Sequence, residues 1–213
     1  MVGGPNSEPW SVWWHDFWGN PLSHAGSHGS YRPLVTLTYR AEYLTCGLNP
    51  WCFHLGNIIL HSLATWLTVQ LSAALRQPLL ARIFSGLLFA CHPIHTEAVA
   101  GLVGRADLAS GVFFLTTLLL YLYHVAKRDQ AESGWKELSG AWMAAAASLL
   151  AKETGATALV VCVAYDLLIH PRILRSKVGS ILQNILFFSL FKVSVPWIRI
   201  EIPPTIYFDH IGI

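Results

Sequence analysis

The amino-acid sequence predicts an all-α fold, a polytopic membrane helix bundle of about five helices, on three observations. Of its 213 residues, 54% are hydrophobic and only 12% charged, with a mean hydropathy of +0.46, well outside an ordinary soluble domain. Two stretches, Trp51 to Leu75 and Leu108 to Ala126, contain no Lys, Arg, Asp or Glu. Each approaches the roughly 20 apolar residues that cross the hydrocarbon core as a helix. The third observation is ionisable clusters set among apolar segments. They are His92-Pro93-Ile94-His95-Thr96-Glu97, running on to Gly104-Arg105-Ala106-Asp107, and Lys152-Glu153-Thr154-Gly155. Charge at membrane depth is expensive, so these clusters point to a function.

In chain order, residues 1–50 read as a Trp-rich luminal loop with interfacial helices. Trp10, Trp13, Trp14 and Trp18 crowd around His15 and Asp16, and aromatic side chains favour the membrane interface. Gly19, Pro21, Gly26, Gly29 and Pro33 interrupt any long regular element there. The first ten residues hold neither a basic nor an apolar signal region, so insertion is expected to rely on a later helix or on an upstream segment.

Residues 51–178 read as the membrane bundle. In Trp51 to Leu75, the polar residues His54, Asn57, His61, Thr65, Thr68 and Ser72 recur at three- and four-residue steps. That spacing puts them on one inward helical face, suited to hydrogen bonding between helices or to a ligand. Leu79 to Cys91 is apolar but short, and Pro93 should break the helix where the first ionisable cluster starts. Lys127 to Glu137 is a charged connection. Leu138 to Ala151 and Thr154 to Ile169 flank Lys152-Glu153. One helix across both would be about 50 Å long, so two short helices in a hairpin are predicted. Residues 179–213 read as a partial further span with a divergent tail, carrying Asn184, Lys192 and Pro196.

Basic residues orient this layout, because short cytoplasmic loops carry an excess of Lys and Arg. Arg76 and Arg82, then Lys127, Arg128 and Lys136, then Arg172, Arg175 and Lys177 fall on alternate connections, which are assigned to the cytoplasm. Arg32, Arg40, Arg105 and Lys152 then share the opposite side with Asp16 and with the clusters. A net charge of +2, with no basic aromatic surface or Gly-rich phosphate loop, gives no support to nucleic-acid binding. The four cysteines lack metal or redox spacing. Cys46 and Cys52 are near enough to pair in an oxidising lumen, and sequence leaves that open.

The runs His15-Asp16-Phe17-Trp18-Gly19, Ser30-Tyr31-Arg32-Pro33-Leu34, His92 to Val99, Val103 to Asp107 and Lys152 to Gly155 occur in an order that carries a resemblance. The chain resembles the transmembrane and tetratricopeptide-repeat-containing O-mannosyltransferases over roughly Trp13 to Ile169, most closely the member numbered first. The resemblance implies a GT-C glycosyltransferase-like fold, present in part, in a multi-pass protein of the endoplasmic reticulum membrane. It implies mannose transfer from dolichyl phosphate mannose, the donor substrate, to Ser or Thr of acceptors such as cadherins and protocadherins. No cofactor and no metal are expected.

Such a transfer needs a carboxylate base and cations for the leaving phosphate. The candidates for catalysis are Asp16, Glu97 and His95. Those for the donor phosphate or substrate are Arg32, Arg105, Lys152, His92, Glu153 and Asp107. Each has a plain structural alternative: Asp16 capping a helix, Glu97 pairing with Arg105, Lys152 pairing with Glu153. A zinc site on His92, His95 and Glu97 is disfavoured because Pro93 spoils the helical face that such motifs use.

Three departures stand against the family pattern: no leading span with a luminal acidic pair, no array of repeats of about 34 residues, and Gly29 where a lysine is usual. A fragment without activity of its own is therefore expected. A small transporter or a non-catalytic membrane scaffold are the alternative functions. The first would usually show internal repeat symmetry, and none is found.

Overall fold

The computed structural model describes residues 9–169. Proline opens the first two helices, where its fixed φ suits the first helical position and its missing N–H leaves nothing unsatisfied. Helix α1 (Pro33–Cys46) begins at Pro33 and ends at Gly47, whose N–H donates back to the Tyr43 carbonyl at 2.8 Å. Helix α2 (Pro50–Ala74) is capped by Asn49, whose side chain accepts from the Trp51 N–H at 3.1 Å. There follow α3 (Leu79–Cys91), α4 (Thr96–Ala100), α5 (Arg105–Asp129), α6 (Trp135–Ala151) and α7 (Thr157–Ile169). Short 3-10 turns cover Pro9–Trp13, Pro93–His95 and Glu153–Ala156. Among the described residues there is no strand, only an isolated bridge between His15 and Pro21.

The chain divides into two compact units, Met1–Cys162 and Val163–Ile213. Only the end of α7 represents the second among the described residues, and the architecture below is that of the first. The expected partial span in residues 179–213 and the basic residues Arg172, Arg175 and Lys177 lie outside the described residues.

Polar contacts fix the helix directions. Ser72 and Ser85 share a hydrogen bond at 2.9 Å across α2 and α3, close to their connection, so these helices run antiparallel. Arg105, at the start of α5, reaches Asn57 and Phe53 near the start of α2, so α2 and α5 run parallel. Ser110 meets Ser148 at 3.1 Å, and His124 meets the Gly134 carbonyl at 2.9 Å, which makes α5 and α6 antiparallel. One end of the bundle therefore carries Arg76, Arg82, Lys127, Arg128 and Lys136. The other carries α1, the loop after Asp16, and both ionisable clusters.

The core is two small clusters. Phe17, Val35, Tyr39, Phe53, Ala106, Ala109 and Ala151 pack at the cluster-bearing end, and Ala64, Leu67, Val112 and Leu119 pack further along. Much of the remaining apolar surface faces outward, including Trp51, Ile58, Ile59 and Trp66 on α2 and Leu79, Leu80, Phe84, Leu87 and Leu88 on α3. A monomer in water rarely exposes so broad an apolar face. Helices α2 and α5 are long and apolar enough to cross a membrane, whereas α3, at 13 residues, is only about 20 Å long.

Two features add detail to the sequence expectations. Within the segment expected to hold loops and interfacial helices, residues 33–46 form one continuous helix, because no Gly or Pro intervenes between Pro33 and Gly47, and Val35 and Tyr39 bury one face. Helix α5 starts at Arg105, three residues before the uncharged stretch, so Arg105 and Asp107 are helical. The open question of Cys46 and Cys52 is settled as a disulfide tying α1 to α2, while Cys91 and Cys162 are free.

Candidate functional site at the cluster-bearing end

Asp16 is 3% exposed, and both its oxygens are occupied. One accepts from the N–H groups of Trp18 (3.0 Å) and Asn20 (2.8 Å). The other accepts from the Ser27 hydroxyl (2.9 Å) and the His28 N–H (3.2 Å). Burial works against the charged form, but these four bonds outweigh it and hold the carboxyl down to about 2. Asp16 caps no helix; it gathers the loop of residues 16–28 around one charge. A general base needs a free lone pair and a pKa near the working pH. Asp16 has neither in this fold, so the catalytic role expected of it does not suit its surroundings.

Arg105 is likewise interior, at 1% exposure. Its Nε donates to Asn57 Oδ1 (2.8 Å), Nη1 to Glu42 Oε2 (2.6 Å) and Thr38 Oγ1 (3.3 Å), and Nη2 to the Phe53 carbonyl (2.5 Å). Its guanidinium carbon lies 4.4 Å from the centre of the Tyr39 ring. Expected to contact the donor phosphate or to pair with Glu97, it instead joins α1, α2 and α5 and presents no face to a ligand. Glu42, its ion-pair partner, escaped the sequence reading. The available signal was Thr38 and Glu42 four residues apart on the flank of α1 that also bears Tyr39.

The remaining cations pair across elements. Arg32 approaches Glu153 at 3.4 Å, and Lys152 pairs with Asp107 rather than with its neighbour Glu153. Both carboxylates are about half exposed, so such pairs contribute only about 0–1 kcal/mol and yield readily to a stronger anion. The Arg32 guanidinium carbon lies 5.3 Å from the centre of the Phe17 ring, and its Nε is buried without a hydrogen-bond partner. These two pairs bring the segments around residues 32, 107 and 152 together.

At the same end of the bundle opens a cleft of about 370 Å³ lined by His54, His61, His92, His95 and Thr96, with Ile58 and Val99 among its apolar walls. The His95 ring stands 4.4 Å from Phe89, 5.3 Å from His61 and 6.1 Å from His92. Burial first, and then the two neighbouring imidazoles, push His95 below the usual histidine range, so it is neutral at neutral pH. His61 Nε2 lies 3.2 Å from the Ala90 carbonyl and so carries the proton, leaving Nδ1 buried and unpartnered. His92 Nδ1 accepts from the Ile94 N–H at 3.2 Å. Glu97, one residue beyond Thr96 on α4, is exposed and has no ion-pair partner among the described residues. No three His, Cys, Asp or Glu side chains among the described residues are placed to share a metal ion.

No protein-family profile matches the chain. No solved structure matches it either. Curated relatives do. The chain is 44% identical to "Protein O-mannosyl-transferase tmtc2" of Xenopus laevis over 193 residues, covering 89% of this chain and 23% of that protein. It is 50% identical to "Protein O-mannosyl-transferase Tmtc2" of Drosophila melanogaster over 156 residues, and 48% identical to "Protein O-mannosyl-transferase Tmtc1" of the same fly over 154 residues. Each fly alignment covers 72% of this chain and 17% of the relative. These values do not single out the first-numbered member. The chain spans about a fifth of the length of the curated relatives it matches.

Proposed function

This chain belongs to the family of the transmembrane and tetratricopeptide-repeat-containing protein O-mannosyltransferases, and from that premise we propose that it forms part of a protein O-mannosyltransferase site. The donor is dolichyl phosphate mannose, and the acceptors are Ser or Thr hydroxyls of secretory-pathway proteins such as cadherins. The setting is the endoplasmic reticulum membrane, crossed several times by a GT-C-like bundle, with the cluster-bearing end in the lumen.

The chemistry is a displacement at the anomeric carbon. A carboxylate takes the acceptor hydroxyl proton, the hydroxyl oxygen bonds to the anomeric carbon, and the bond to phosphate breaks with dolichyl phosphate leaving. Glu97 is the base in this reading, because it is exposed and uncommitted beside the cleft. His95 and His92, held neutral or hydrogen-bonded at the cleft wall, orient the acceptor. Arg32 and Lys152 receive the phosphate, which displaces Glu153 and Asp107, and the planar fork of Arg32 suits phosphate oxygens best. Asp16 and Arg105 hold the scaffold.

The observation that supports this reading is two weakly paired cations at the same end of the bundle as a histidine-lined cleft and the exposed carboxylate of Glu97, unpaired among the described residues. A photoreactive dolichyl phosphate analogue tests it in microsomes containing the chain. Labelling that dolichyl phosphate mannose competes away, and that Arg32→Ala weakens at least about tenfold, is the expected result. Labelling indifferent to Arg32 and Lys152 overturns the phosphate assignment. Mannose transfer, where measured, should vanish in Glu97→Gln.

A further inference from the structure

Helix α4 has only five residues, too few to be stable by itself. Its last carbonyls, like those of any helix, lack intrahelical donors. Neighbours supply them. The Asn57 side-chain amide, fully buried on α2, donates one N–H to the Val99 carbonyl and the other to the Gly101 carbonyl, both at 3.1 Å. The Tyr39 hydroxyl on α1 donates to the next carbonyl, that of Leu102. Arg105 fixes the donors themselves. Its Nε–H takes the Asn57 oxygen, which turns the amide nitrogen toward the α4 carbonyls, and its guanidinium covers the Tyr39 ring. The segment is also closed on itself, since a Cβ on Gly104 would lie 2.5 Å from Ala98 Cα.

We propose that Asn57 is a positioning residue for α4: with Tyr39 and Arg105 it holds residues 97–104 in one place, and so sets where the Glu97 carboxylate stands beside the cleft. This rests on the mannosyltransferase reading only for what Glu97 does there. Asn57 has no exposed surface to offer a ligand, so its influence passes through the backbone of α4.

The test is hydrogen exchange of the full chain in lipid nanodiscs, with transfer kinetics beside it. Asn57→Asp keeps the size and the acceptor for Arg105 but removes both N–H donors. Exchange of the amides of residues 97–104 should rise at least about tenfold, with α2 and α5 still protected. The kcat for mannose transfer should fall about 100-fold while KM for the donor stays within about twofold. Thr116→Val, which removes only a hydroxyl bonded to the Val112 carbonyl, should change neither. If Asn57→Asp does not insert, Tyr39→Phe removes the Leu102 tether alone and should raise exchange at residues 102–104. Unchanged exchange in whichever variant folds, exchange raised equally throughout α2 and α5, or raised local exchange with unaltered kcat would each overturn the proposal. Should the unaltered chain transfer no mannose, as expected of a fragment, labelling by the dolichyl phosphate analogue judges the function reading, while exchange alone decides whether Asn57 holds α4.

Discussion

Arg105 and Lys152 carry the same charge at the same end of the bundle, yet burial separates their roles. Removing the Arg105 guanidinium leaves Glu42, Asn57 and the Phe53 carbonyl without their partner in the interior. Arg105→Leu should therefore destabilise the fold by about 3 kcal/mol in a denaturant titration in mixed micelles. Lys152→Ala, which loses a half-exposed pair, should cost less than about 0.5 kcal/mol in the same assay while weakening donor labelling. Asp16 gives a pH signature. Its carboxyl titrates near 4 in an unfolded chain and at about 2 in the fold. Its contribution is complete above the first value and disappears as pH falls through the second. A tryptophan-fluorescence titration should report loosening of the Trp-rich loop only below about pH 4, and Asp16→Asn should show the loosened signal already at neutral pH. The sequence showed which residues were charged but not which would be interior. Glu42, on a helix hidden among glycines and prolines, decides that for Arg105.

At the scale of elements, uncharged runs and proline gave away α2 and α3 almost to the residue, because length and apolar character are local properties. The start of α5 was less legible. The chain helicises through Arg105 and Asp107 because tertiary partners neutralise them, and those partners lie 45 to 63 residues away. The break at Lys152 was legible from charge, and the structure adds what holds it. After an extended Lys152 (φ −158°, ψ 145°), the chain folds back until a Cβ on Gly155 would stand 2.3 Å from the Ser148 carbonyl carbon and oxygen. Backbone cannot retreat as a flexible side chain does. Gly155→Ala should cost about 1–3 kcal/mol and loosen the Glu153 side of the Arg32 pair. Gly111→Ala, which meets nothing within 4 Å, is the matched control that should be nearly silent.

For the whole molecule, alternation of basic connections was enough to bring Asp16, the His92 to Asp107 segment and Lys152 to one end, and helix directions within the first unit place them there. Partner choice across that end was not legible, since ion pairing depends on helix rotation, which no single-chain pattern records. Glycosylation acceptors inserted near Gly26, Gly101 and Gly155 should all be modified in microsomes, and one near Gln130 should not. Modification that divides the first three would break up the shared site. Both helix seams of the bundle close on small residues. Helix α6 buries Ala141, Ala144, Ala145 and Ser148, the Ser148 hydroxyl donates to the Ser110 carbonyl of α5 at 2.9 Å, and a Cβ on Gly140 would stand 3.1 Å from Leu120 Cδ1. On the other flank a Cβ on Gly86 of α3 would stand 2.6 Å from Val69 Cγ2 of α2. Small residues let helix backbones approach closely. A single methyl added at either seam therefore wedges apart helices that carry residues of the cluster-bearing end, Asp107 on α5 and His61 on α2.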